Sequence, residues 1–195
     1  MNTSKILMII GSLMLLTLFA FPLWNISLKA PQYPIPVGMD IWINKITDHN
    51  PNDIQNINIL NHYVGMQDIP EQMKEFEFFP IVVISMTVLG VIFGFIGNRK
   101  LYLLWFVMMV LIGIAGMYDF YLWEYDYGHN LKETAAIKFT DENDEPMAYQ
   151  PPLFGTKLIL NFEAMSYPMT GAYLLFLGMA LSVVAFFKHP KKVVQ

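Results

Sequence analysis

Hydrophobic positions in this chain gather into four long runs, about Ile6–Trp24, Ile81–Ile96, Leu101–Trp123 and Thr170–Phe187, with polar segments of unequal length between them. Each run is near the ~20 residues that a helix needs to cross ~30 Å of hydrocarbon. The pattern predicts transmembrane helices at 6–24, 80–97, 101–123 and 170–187, separated by segments 25–79 and 124–169. The expected fold class is an all-α membrane bundle of four transmembrane helices, with a small mixed α/β or irregular extracytoplasmic domain. The first run is longer than the apolar part of a signal peptide, and Phe19-Ala20-Phe21-Pro22 offers no small-residue cleavage site, so it reads as an uncleaved anchor. Gly90, Gly94 and Gly97 in the second run, and Gly113 and Gly116 in the third, read as small-residue surfaces that let helix backbones approach closely. Met86, Met108, Met109 and Met117 read as core side chains.

The polar segments carry their own local pattern. Three prolines in Ala30–Pro36 predict an extended piece, and Met39–Ile46 alternates like a strand with Trp42 on its second face. The cluster Asp48–Asp53 predicts a turn, followed by a short helix that opens at Asp53. The stiff, apolar pieces at 31–36 and 150–152 need cover that neither segment can supply alone, so the two segments are expected to form one joint domain.

Charge sets the orientation. Lys5, then Arg99 and Lys100, then Lys188, Lys191 and Lys192 mark three short pieces without acidic residues. All 16 Asp and Glu lie in the two long segments or at the outer end of the third run. The expectation is a multi-pass protein of the cytoplasmic membrane, with both termini and the 97–100 turn cytoplasmic and the long segments extracytoplasmic. Composition agrees: 55% of residues are hydrophobic and 14% charged. The net charge of −4 argues against nucleic acid as a partner, leaving membrane lipid as the expected one. With no cysteine, disulfides and thiolate sites are excluded.

The chemistry that remains is imidazole and thioether. In Ile59–Met66, a helix that ran on past Leu60 would place His62 and Met66 on one face; Gly65 equally suits a helix end before Met66. Such a pair favours a soft ion, above all Cu(I), although a hydrogen-bonded surface histidine and a core methionine fit the same spacing. His129 follows Gly128 in a turn-like setting, and Met39 and Met147 add soft donors from the polar segments. Tyr63 and Asp126 are candidates to orient an imidazole. Asp119, at the hydrocarbon edge, is a candidate intramembrane site, or one polar member of an aromatic interfacial belt. There is no Ser-His-Asp signature, phosphate-binding glycine loop or HExxH, so an enzyme is not expected.

Several of these strings together resemble a known family: Ala30–Pro34, Ile41–Ile46, Leu60–Met66, Trp123–Leu131, Tyr149–Leu153 and Leu160–Phe162. They look like the small four-span membrane proteins encoded among the nitrous-oxide reductase maturation genes of some bacteria. The resemblance implies an accessory protein that handles copper for an extracytoplasmic copper enzyme, with Cu(I) as the bound ion. It implies copper-delivery proteins or nitrous-oxide reductase as partners. The acidic stretch Lys138–Glu145 departs from the shorter, more apolar linker expected there. Met165 and Met169 stand where the family pattern has no methionine, and they are left out of the expected ligand set. The alternative is a non-catalytic structural or partner-binding subunit of a membrane complex without metal.

Overall fold

The computed structural model describes residues 2–133, 135–138, 140 and 147–189. The acidic run 141–145 and the basic residues 191–192 lie outside them. Helix α1 (Thr3–Leu13) is followed by strands β1 (Trp24–Lys29), β2 (Val37–Ile41) and β3 (Ile46–Asp48), then helices α2 (Asp53–Val64), α3 (Glu75–Ile96) and α4 (Arg99–His129), strands β4 (Gly155–Ile159) and β5 (Phe162–Pro168), and helix α5 (Thr170–Lys188).

This overturns the expected all-α bundle of four transmembrane helices. Among the described residues three helices, α3, α4 and α5, are long and apolar enough to cross a membrane. The first apolar run is shorter than its hydropathy suggests. After α1 it tightens into a 3-10 segment, Met14–Phe19, and by Trp24 the chain is a strand. Ser12 and Thr17 turn their hydroxyls back onto the carbonyls of Ile9 and Met14, at 2.9 and 2.6 Å. Such bonds compete with the helical ladder, and Pro22 then disfavours helix at the residue before it.

The second departure is the sheet. Among the described residues five antiparallel strands run in the order β3-β2-β1-β5-β4. β1 is central: Ser27 stands opposite Gly38 of β2 on one side and Met165 of β5 on the other. Strands from both long polar segments therefore share one sheet. The strand expected over Met39–Ile46 is instead a hairpin, turned where the Trp42 N–H donates to the Lys45 carbonyl at 2.8 Å.

Two hydrophobic cores result among the described residues. In the bundle, Met8, Leu15, Tyr102 and Trp105 are fully buried, and the Trp105 Nε1–H donates to the Met86 carbonyl at 2.9 Å. α1 packs between α3 and α5. A Cβ at Gly90 would meet Ser12 at 2.4 Å, and one at Gly11 would meet the Gly178 carbonyl at 2.6 Å. Lys5 donates to the Phe95 carbonyl and the His189 ring bonds the Gly97 carbonyl, each at 2.8 Å. The start of α1, the α3–α4 turn and the end of α5 therefore share one face of the bundle, and the sheet caps the opposite face.

The two cores are joined by α4. Its 31 residues extend about 46 Å, more than the hydrocarbon thickness. The turns beyond the apolar stretch 101–123 enter the sheet domain, where Trp123 and Tyr127 pack with Ile26, Met39 and Met66.

Candidate site in the sheet domain

The position of α2 is set by two carboxylates. Asp48 accepts the Ile54 N–H at 2.6 Å, and buried Asp53 accepts the N–H groups of Gly38 and Asn50 at 2.8 and 2.9 Å, fixing the helix start to β2. The helix stops at Gly65, whose φ of +82° is left-handed, and whose hydrogen leaves room for the Lys132 carbonyl and Ala135. His62 and Met66 consequently do not share a helical face. His62 lies exposed in the last turn, while Met66, past the glycine, turns inward and is 7% exposed.

Met66 and Met39, the latter from β2, both line a mainly apolar cavity of about 350 Å³ between the sheet, α2 and the end of α4. Tyr63, Asn61, Trp123 and Tyr127 are among the polar and aromatic residues that line it with them. Two of these polar groups are tied together. The Asn61 amide donates to the Tyr127 hydroxyl at 2.6 Å, and that hydroxyl donates to the Gln67 carbonyl at 2.6 Å. Burial, reinforced by the Asp68 charge, outweighs the Asn61 bond and pushes the Tyr127 pKa well above that of a free phenol. The hydroxyl therefore stays protonated and the network stays neutral. Trp123 stacks on Tyr127 at 5.1 Å, which stiffens that wall.

The other sequence candidates lie around this cavity or away from it. Met147 packs against the same core. Neither imidazole is among the cavity's lining residues. His62 sits edge-on to Tyr63 at 6.4 Å, and Tyr63 is half exposed. His129 is oriented by Tyr125: its ring stacks on the phenol at 4.0 Å, and its Nδ1–H donates to the Tyr125 carbonyl at 2.8 Å. That bond selects the tautomer with the lone pair on Nε2. Asp126 is exposed. Asp119 is half-buried in a different cavity, inside the bundle. Among the described residues no three His, Asp or Glu side chains group as a metal site.

Sequence reasoning missed Glu124. It lies just past the apolar stretch of α4, is fully buried, and neither carboxylate oxygen has a hydrogen-bond partner among the described residues. Burial raises its pKa to about 7. The available signal was Gly128, one turn on along the same face. A Cβ there would strike the Gln150 backbone at 2.5 Å, so this face of α4 is pressed under the 149–153 segment. No family model, curated protein or solved structure matches this chain.

Proposed function

We propose that this protein is a membrane-anchored accessory factor that handles copper for the maturation of an extracytoplasmic copper enzyme of the nitrous-oxide reductase type. The observation that supports the reading is the pair Met39 and Met66, thioethers from separate elements lining one cavity. Their chemistry fits Cu(I): thioethers are soft and uncharged, prefer it to Zn(II), and hold it weakly enough to pass on. In this reading Met39 and Met66 hold the ion, and His62 and His129 serve as surface donors during transfer. Copper supplies no reaction here; it is cargo. The sheet domain is extracytoplasmic, and the bundle face that carries Lys5, Gly97 and His189 is cytoplasmic, in keeping with the basic residues at that face.

The test is competition with a chromophoric Cu(I) chelator, using folded protein in detergent. Wild type should retain copper, with Zn(II) displacing little. Met39→Leu and Met66→Leu, which keep volume and apolarity, should each weaken retention about tenfold, or about 1.4 kcal/mol. His62→Ala should act mainly on the rate of transfer. Wild type that cannot compete, or leucine variants that compete equally well, would remove copper from the account.

A specific observation favours the metal-free, partner-binding reading in that event. Tyr118, Tyr121 and Tyr125 are 63%, 40% and 48% exposed along one face of α4, which rises from the bundle into the sheet domain. Exposed tyrosines in such a row suit contact with another protein.

A further inference from the structure

The bundle contains a second cavity, of about 560 Å³, between the 3-10 segment, α3, α4 and α5. That is within the range of small-ligand sites, about 300–1,000 Å³. Two glycines of α4 help to make it. A Cβ on Gly113 would meet nothing within 4 Å, and one on Gly116 would touch only the Phe79 ring at 3.9 Å. Glycine weakens a helix, and these two do not admit a neighbouring backbone in return. What they provide is space.

The crevice has one charged end. Glu75, which opens α3, and Asp119 of α4 both line it, each about 30 Å along its helix from the turn that joins the two. Both acids therefore stand at the same height, one hydrocarbon thickness from the α3–α4 turn. Trp24 and Trp42 line the crevice as well, as interfacial aromatics do. Gly113 lies six residues, or about 9 Å, deeper than Asp119. No Lys, Arg or His is among the described lining residues, so the mouth is negative and the interior is apolar.

We propose that this crevice holds one acyl chain of a phospholipid whose headgroup carries an amine, with the ammonium beside Glu75 and Asp119. Water would find few polar partners along the walls, whereas hydrocarbon is the medium in which these helices stand. Charge complementarity selects the headgroup: two carboxylates attract an ammonium and repel an anionic lipid.

The experiment uses the full chain in lipid nanodiscs that hold phosphatidylethanolamine or phosphatidylglycerol with matched brominated chains. Tryptophan quenching reports chain entry, and mass spectrometry after detergent washing reports lipid retained. Wild type should retain phosphatidylethanolamine stoichiometrically and prefer it to phosphatidylglycerol. Gly113→Phe fills space that no other group occupies, and should lower retention about tenfold or more; added phosphatidylethanolamine should raise the melting temperature of wild type and not of this variant. Glu75→Gln combined with Asp119→Asn should keep the chain but lose the headgroup preference. If Gly113→Phe does not fold, Gly113→Leu serves, and the wild-type comparison of the two lipids needs no variant. Equal retention of both lipids, retention of an isoprenoid quinone instead, or no lipid beyond the Gly113→Phe level would overturn the proposal.

Discussion

Glu124 is a fully buried carboxyl in an environment that disfavours its charged form. A carboxylate with no partner among the described residues pays for desolvation unless it takes up a proton. Its pKa rises from 4.5 to about 7, so the folded chain holds a proton that the unfolded chain releases. The associated stability is fully present below pH 4.5, declines as pH rises through about 7, and is flat beyond. At about 1.4 kcal/mol per pH unit the loss is on the order of 3 kcal/mol. Thermal unfolding in detergent between pH 4.5 and 8 should show this slope for wild type and lack it for Glu124→Gln; parallel profiles would mean that Glu124 is neutralised by a partner. The histidine–methionine spacing was legible in the sequence, and so was the possibility that Gly65 ended the helix. What could not be read was that the glycine turns Met66 toward Met39, because that depends on β2, more than twenty residues earlier.

At the scale of elements, the glycine pattern gave one sound expectation and one that failed. The face Gly90–Gly94–Gly97 does admit a close neighbour, but the neighbour is α1: Ser12, Ile9 and Lys5 fill those three places. Gly113 and Gly116 offered the same spacing logic, yet Gly113 meets open space and Gly116 only the edge of the Phe79 ring. Spacing encodes which face is small, and tertiary structure decides what covers it. The sheet was only partly visible, for a related reason. Trp24 reads as the end of an apolar run and residues 25–29 as the start of a polar segment with no strand expected there, although partners at 37–41 and 162–168 make Trp24–Lys29 the central strand. The β1–β5 register is directly testable because the chain has no cysteine. Ser27→Cys with Met165→Cys should form an intramolecular disulfide on mild oxidation, seen as faster migration that a reductant reverses. Ser27→Cys with Gln67→Cys should not. Failure of the first pair, or equal reaction of both, would contradict a sheet shared by the two segments.

For the whole molecule, the design is a helical bundle capped at one face by a sheet domain, with α4 running through both. Among the described residues each polar segment alone supplies too little for a core, three short strands and a helix or two strands, and together with the end of α4 they enclose the cavity that carries Met39 and Met66. The proposed delivery of copper to an extracytoplasmic enzyme requires that this domain lie outside the cytoplasm, and the rest of that proposal depends on it. Single cysteines at Asn44, exposed in the β2–β3 turn, and at Asn98, exposed in the α3–α4 turn, report the two faces. In intact cells with a permeabilised outer envelope, an impermeant thiol reagent should label Asn44→Cys and spare Asn98→Cys until the cytoplasmic membrane is opened. Labelling of Asn98→Cys with protection of Asn44→Cys would place the sheet domain in the cytoplasm and contradict the account.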